Sequence, residues 1–579
     1  MSMPPASVAD HRFEVWAPRP DRVRLWLDGA VHPMRADRGG WWRTSVPARE
    51  GARYGYLLGD DDTVLPDPRS PRQPDGVHAP SALIPEVAPP RWAGRELAGA
   101  LVYELHIGAF TTEGTFDAAV ERLPYLVELG VGFVQVMPVN AFNGTHGWGY
   151  DGVGWYAVHE PYGGPAGLER FVAAAHRLGL GVLLDVVYNH LGPSGNYLGR
   201  FGPYETDGAN TWGRTINLDG EDSAEVRRFI LDDIAWWLRR YGVDGLRLDA
   251  VHALVDRSGR HLLQDAAALA ADLSAELGRP LALVAESDLN DPRLVTPADH
   301  GGYGLAAQWN DDVHHAIHAF VSGERQGYYA DFGSPECLAT VLTEGFFHAG
   351  TFSSFRGRVH GERIDPAAVA PSQLLAYTCT HDQVGNRARG DRPSEYLSPG
   401  RLAIKAALVL FSAFTPMLFM GEEWGARTPF RFFTSHPEPE LARATVEGRK
   451  AEFAEHGWPP GEVPDPQDPD TFVASRLDWT ERERPENARL LNVYRALIAL
   501  RRDPALTVDD LRSVTIDHPG EATWFAVHRG DLTLIVNVSG AAVTAPFGGT
   551  PVLEWAAPSV RGDATTVPGE SFVVLRRAV

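Results

Sequence analysis

Apolar positions change their spacing twice along the chain, and the changes divide it into three parts. Between residues 13 and 84, the runs Phe13-Glu14-Val15-Trp16, Val23-Arg24-Leu25-Trp26-Leu27, Trp41 to Val46 and Tyr54 to Leu58 are short, alternating and separated by Gly, Pro and Asp. Such runs predict strands of a small β domain. Pro66 to Pro85 is rich in proline and predicts a linker crossing a surface. From about residue 100, short apolar runs alternate with helical stretches such as Leu168 to Leu178, Gln264 to Leu277 and Arg401 to Ser412. The runs are Leu101 to His106, Gly132 to Pro138, Gly181 to Val186, Val243 to Asp249, Leu281 to Glu286, Leu305 to Asn310, Leu374 to Thr380 and Pro416 to Met420. Strands alternating with helices build parallel sheets, and eight such units close a (β/α)8 barrel. Asn189 to Asp219 is a long Gly-rich excursion after the third run, where barrels insert active-site loops. Residues 430 to 480 read as irregular, Glu486 to Arg502 as a helix, and the runs Thr523 to His528, Thr533 to Val538 and Phe572 to Leu575 as a small terminal β domain. The divisions expected are residues 1–90, 91–505 and 506–579.

The stretch before the fourth run is the most sharply patterned. Val226, Phe229, Ile230, Ile234, Trp237, Leu238 and Tyr241 recur at three- and four-residue spacing, the signature of an amphipathic helix. Asp222 with Glu225 predicts a capping box, and Gly242 a stop. Side chains alternate along the strand that follows, so Arg247 and Asp249 share a face. A guanidinium there keeps the carboxylate ionised. An ordinary strand-end ion pair explains that stretch equally well.

Composition narrows the partners. Apolar residues make up 44% of the chain and charged residues 22%, a globular balance, and the net charge of −22 argues against nucleic acid and anionic membranes and suits a neutral substrate. Two isolated cysteines, Cys337 and Cys379, are too few for a disulfide framework or a zinc site and suggest a reducing, cytoplasmic setting. Met1 to Phe13 carries Asp10, His11 and Arg12 with no apolar core, so no signal peptide is expected. Ala406 to Gly421 is shorter than a membrane span and broken by Pro416, which predicts a buried helix followed by a buried strand.

Barrel chemistry gathers where the strands end. Asp249, Glu286 and Asp382 occupy the ends of the fourth, fifth and seventh runs, with Asp185, Asn189 and His190 after the third and His381 beside Asp382. Three converging carboxylates cost free energy to desolvate, which points to a purpose. The segments Asp185-Val186-Val187-Tyr188-Asn189-His190, Gly245-Leu246-Arg247-Leu248-Asp249, Ala285-Glu286-Ser287 and Thr380-His381-Asp382 resemble, in order and spacing, the four signature regions of the α-amylase family of glycoside hydrolases. Trp16-Ala17-Pro18 resembles the opening of the β-sandwich that precedes the barrel in glycogen branching enzymes, so the implied fold is α/β: a (β/α)8 barrel with an N-terminal β-sandwich and a small C-terminal β domain.

The resemblance implies Asp249 as nucleophile, Glu286 as general acid and base, and Asp382 as the carboxylate that grips sugar hydroxyls in the transition state. It implies sugar contacts from Arg247, His190, His381, Asp151 and Gln383, with Tyr150 stacking beneath the sugar. His252 matches a position that touches the leaving side of the glucan and reads equally well as a satisfied loop histidine. Trp155 and Tyr156 read as loop packing. The physical chemistry agrees: retaining cleavage needs one protonated and one ionised carboxyl ~5–5.5 Å apart, and apolar Val284 and Ala285 give Glu286 reason to hold its proton.

His146 to Pro165, Asn189 to Leu198, Ala285 to Asp291, His381 to Asn386 and Phe419 to Phe433 resemble the maltooligosyltrehalose trehalohydrolase branch of the family, and Gln383 stands where branching enzymes usually have Glu. That branch implies cleavage of the α-1,4 bond beside a terminal trehalose unit. Its partners would be maltooligosyltrehalose and maltooligosaccharides, with a metabolic link to maltooligosyltrehalose synthase, and neither metal nor organic cofactor is expected. A branching enzyme or amylase, and a glycan-binding protein on an inactive barrel, are the alternatives. Gln135, Glu205 and Ser435 depart from the family pattern and bear on the outer glucan subsites.

Overall fold

A computed structural model of the chain describes residues 9–87, 91–455, 462–520 and 523–577. Among the described residues, eight parallel strands close a barrel in chain order: β1 (Val102–Leu105), β2 (Phe133–Val136), β3 (Gly181–Val186), β4 (Gly245–Leu248), β5 (Ala282–Ala285), β6 (Ala307–Trp309), β7 (Leu374–Tyr377) and β8 (Thr415–Phe419). Seven of the expected runs contain one of them whole, and β8 begins one residue before the run Pro416 to Met420. The runs overshoot at their C-terminal ends, because Asp249, Glu286 and Thr378 to Thr380 leave the ladder to form the mouth.

The two-residue period of a strand divides the barrel interior into layers. Val102, Phe133, Leu183, Val284, Ala307, Leu375 and Met417 pack an apolar floor. Two residues further along the chain stand Glu104, Gln135 and Asp185 on their strands and Glu286 just past the end of β5, with Arg247 in register beside Asp185. Below the mouth, then, lies a dry plug, and above it a buried polar layer.

The helix before β4 runs Ser223–Trp236 and continues through a π-helical turn, Trp237–Tyr241, to Gly242, whose φ of 72° ends it as expected. Asp222 does not cap it: capping needs an extended backbone, whereas Asp222 is left-handed at φ 59° and makes no cap hydrogen bond. Pro399–Phe411 and β8 form the buried helix and strand expected over 406–421.

Two further expectations fail. Residues 430–480 are not irregular throughout, since Pro439–Glu455 is a helix of 17 residues. Its face carries too few apolar residues for a periodic signal, though Pro439 at its start is a helix-entry mark. Pro66 to Pro85 is not a surface linker either. Ser70, Gln73, Val77 and Leu83 are buried, Arg69 pairs with Asp232 at 2.8 Å and Arg72 with Glu160 at 2.6 Å, and Ser81–Ala82 adds a strand to a sheet.

That sheet, in the order Ala30–Pro33, Val23–Leu27, Arg53–Leu58, Ser81–Ala82, packs on a second one made of Ala9–Trp16, Trp41–Ala48 and Arg35–Ala36. Phe13 and Tyr54 meet between them at 5.2 Å. At the other end a five-stranded sheet built on Leu532–Asn537 and Ser571–Arg576 adjoins a three-stranded one, giving the strand-rich C-terminal unit. Cys337 and Cys379 are buried free thiols. No helix among the described residues is long and apolar enough to cross a membrane.

Candidate active site

Register places the reacting pair. Leu248 of β4 pairs with Ala285 of β5, so the next residues, Asp249 and Glu286, emerge side by side at the mouth. Adjacent strands lie ~4.8 Å apart, close to the ~5–5.5 Å separation of a retaining carboxyl pair. Arg247 binds both ends of the arrangement. Its Nη1 lies 2.7 Å from Asp249 and 2.9 Å from each oxygen of Asp185, while Nη2 lies 3.9 Å from Glu286. The guanidinium rests 4.3 Å from the centroid of the Trp309 ring. Asn189 donates to the second oxygen of Asp249 at 2.8 Å, which fixes the carboxylate's plane.

Glu286 is held by a backbone amide. Ala250 is left-handed at φ 39°, unusual for a residue with a Cβ, and this turn aims its N–H at Glu286 Oε2, 2.5 Å away. Burial pushes the Glu286 carboxyl well above its usual range, and the negative charges of Asp249, Asp382 and Asp311 add to the rise against the pull of Arg247. Beside it, burial carries Asp185 up to about 7 despite Arg247. One carboxyl disposed to keep its proton thus stands beside Asp249, held by Arg247 and Asn189.

Asp382 lies beyond β7, its side chain 41% exposed and 3.4 Å from His381 Nε2. His381 is buried, with Nδ1 donating to Glu104 at 2.8 Å and Nε2 lying 2.8 Å from the Tyr150 hydroxyl, which itself donates to Asp185 at 2.9 Å. Burial disfavours its charge, but Asp382 and Glu104 override it and raise the imidazole to about 9. The doubly protonated ring matches two acceptors.

The expected sugar contacts divide. Tyr150, Arg247 and His381 meet at the mouth. His190 faces it through a wall of bonds, with Nδ1 2.5 Å from Asn189 Oδ1 and Nε2 3.0 Å from the Tyr150 carbonyl. Asp151 lies 3.7 Å from His436 on the rim. His252 is partly exposed, 3.8 Å from Asp288, and Gln383 accepts at 2.7 Å from both the amide and the hydroxyl of Thr380, capping the turn that carries Asp382. Trp155 and Tyr156 are buried against Phe229, as packing residues.

Of the departures from the family pattern, Gln135 is fully buried and donates to Glu104 at 3.3 Å, so it belongs to the barrel wall and not to a subsite. A second carboxylate there would abut Glu104. Ser435 accepts from the amides of Thr145 and His146 at 2.8 and 2.9 Å, bracing two loops, and Glu205 accepts from Asn196 at 3.0 Å.

Sequence reasoning passed over Glu104, Trp309, Tyr377, Asp288 and Asp311. A charged residue inside the apolar run Val102-Tyr103-Glu104-Leu105 was a readable signal for Glu104. Asp311 follows a strand end as Glu286 does, a signal obscured by its place at the start of a helix.

A family model described as the alpha amylase catalytic domain matches residues 73–207, and one described as a domain of unknown function (DUF3459) matches residues 509–574. A Mycobacterium tuberculosis protein named malto-oligosyltrehalose trehalohydrolase is 58% identical over 574 residues, covering 98% of this chain and 99% of its own length. A protein of that name from Rhizobium sp. is 54% identical over 580 residues, covering 98% and 97%. A solved structure from Salmonella typhimurium, described as an alpha amylase, superposes with a TM-score of 0.90 at 37% identity, covering 100% of this chain and 99% of that one.

Proposed function

The chain belongs to the malto-oligosyltrehalose trehalohydrolases of the α-amylase family, and from that membership we propose how its mouth residues divide the work. It is a glycoside hydrolase that acts on maltooligosyltrehalose and releases trehalose. The bond cleaved is the α-1,4 link beside the terminal trehalose. Glu286 protonates the departing oxygen, Asp249 attacks the anomeric carbon, and the trehalose unit leaves. Water deprotonated by Glu286 then attacks the glycosyl-aspartate, so the anomeric configuration is retained. Asp382 and the His381 imidazolium hydrogen-bond the hydroxyls of the sugar being cut, and Arg247 and Asn189 hold the Asp249 carboxyl in place for attack. Tyr150 stacks under that sugar, His190, Asp151 and Gln383 line the pocket, and His252 stands on the leaving side.

The observation that carries this reading is the single guanidinium of Arg247 lying between Asp249 at 2.7 Å and Glu286 at 3.9 Å, with Glu286 also receiving the amide of Ala250. These contacts place the two carboxyls, while burial and the charges of Asp249, Asp382 and Asp311 outweigh Arg247 and dispose Glu286 to keep its proton. The substrate is the product of a maltooligosyltrehalose synthase, a metabolic link that needs no physical complex, and the buried free thiols suit the cytoplasm.

Product analysis tests the specificity. The purified protein, incubated separately with maltooligosyltrehalose and with plain maltooligosaccharide, should release trehalose from the first far faster than maltose or glucose from the second. Asp249→Ala should do neither. Equal cleavage of both substrates, or the appearance of branch points, would contradict the trehalose assignment.

A further inference from the structure

Asp249, Glu286 and Asp382 do not exhaust the carboxyls of the mouth. Asp311 follows β6, and its side chain reaches across to β7, where Oδ1 accepts the Tyr377 hydroxyl at 2.5 Å and lies 3.4 Å from the Gln383 amide nitrogen. Gln383 closes the Thr380 capping box that orients the turn bearing Asp382. Asp249 is matched by Arg247 at 2.7 Å, Asp288 by Arg356 at 2.7 Å and Asp382 by His381 at 3.4 Å. Among the described residues, no basic side chain forms an ion pair with Asp311. The titratable groups facing it are Tyr377 of β7, Asp382 beyond β7, Glu286 and Asp288 beyond β5, Tyr328, and Asp312 of its own helix. None of these supplies positive charge. Burial first, and then these acidic neighbours, push its carboxyl up to about 7.

We propose that Asp311 is a positioning residue of the mouth: it latches β6 to the turn carrying Asp382 and presents a like charge to Glu286. This rests on Glu286 being the acid and base. A like charge opposes the ionisation of Glu286, so the proton needed by the leaving oxygen stays in place to higher pH. The latch also explains Gln383. Its amide oxygen caps Thr380, leaving its amide nitrogen to reach Asp311, which Glu at position 383 would replace with a repelling oxygen.

The test is kcat/KM against pH for the wild type, Asp311→Asn and Asp311→Glu, with thermal melting of each. Asn keeps an oxygen for Tyr377 and removes the charge. The alkaline limb should move to lower pH by at least ~0.5 unit in Asp311→Asn and return toward the wild-type position in Asp311→Glu. A residue with a merely structural role would lower the melting temperature and scale kcat/KM by one factor at every pH. An unmoved limb overturns the proposal. Should Asp311→Asn fail to fold, Tyr377→Phe removes the hydrogen bond that favours the ionised Asp311, and the limb should move the same way; no movement overturns the proposal here too. The wild-type products judge the assigned reaction, whereas the limb reads Asp311 on whichever α-glucan the wild type cleaves, so the two failures stay distinct.

Discussion

Replacing Glu104 by Gln tests how the polar layer under the mouth charges His381. Glu104 is fully buried and accepts from His381 through both the Nδ1 of the ring, at 2.8 Å, and the backbone amide, at 3.1 Å. Burial alone would keep the imidazole neutral, so Asp382 and Glu104 together supply the rise from 6.5 to about 9. That rise corresponds to ~3 kcal/mol of preferential stabilisation of the imidazolium. Because the folded value exceeds the unfolded one, this stability is fully present below pH 6.5 and is lost as pH climbs through 9. Gln keeps the shape and one acceptor but removes the charge, and a charge-assisted hydrogen bond is worth ~1.5–3 kcal/mol. The variant should therefore melt lower than the wild type at pH 6, with the gap narrowing toward pH 9. Histidine NMR, with the resonance identified through His381→Asn, should show His381 titrating at lower pH. At pH 7 kcat/KM should fall about tenfold, the kinetic equivalent of ~1.4 kcal/mol. A melting gap that stays constant from pH 6.5 to 9, or a His381 titration that does not move, would refute the reasoning.

Three further substitutions probe other parts of the site and scaffold. Glu286→Gln should slow hydrolysis of maltooligosyltrehalose by ~10²–10⁴-fold yet still release a rapid burst of about one fluoride per enzyme from α-maltosyl fluoride before it stalls, since fluoride departs without a proton; loss of that burst would contradict the acid role. Ala250→Gly removes the Cβ that makes φ 39° costly, so stability should hold or rise by up to ~1 kcal/mol, with the Glu286 hydrogen bond and kcat retained to within about twofold; denaturant unfolding and steady-state rates check both. Asp244→Ala, at the foot of β4, strands Arg279 at 2.7 Å, His176 at 2.9 Å and the Trp92 indole at 2.7 Å. It should cost ~3–5 kcal/mol in unfolding experiments while leaving KM unchanged.

The barrel was legible because its strands are short apolar runs at regular intervals, and because the carboxylates Asp249 and Glu286 end two neighbouring runs. What escaped were features that depend on partners distant in sequence. Pro66 to Pro85 reads as a linker by composition, yet Arg69 and Arg72 anchor it to Asp232 and Glu160, residues about 90 to 160 positions away. Pro439–Glu455 is a helix with polar residues around most of its circumference, which periodicity cannot detect. Asp222 has the right residue type for a cap and the wrong backbone conformation. In the site, the three carboxylates could be found from motif order, but the charge on His381 depends on Glu104 of β1, which comes within reach of the end of β7 only because the sheet closes β8 onto β1. The same holds for Asp311, whose partners Tyr377 and Gln383 lie on and beyond the next strand.

The central claim is that Asp249 forms a covalent bond to the sugar while Glu286 manages the proton. Glu286→Gln incubated with α-maltosyl fluoride should become glycosylated and then stall, because no base remains to activate water. Peptide mass spectrometry of the quenched protein is the most direct reading. The account predicts a maltosyl adduct on the peptide containing Asp249, absent when Asp249 is also replaced by Ala. An adduct on another side chain, or turnover with inversion at the anomeric carbon and no adduct, would contradict it.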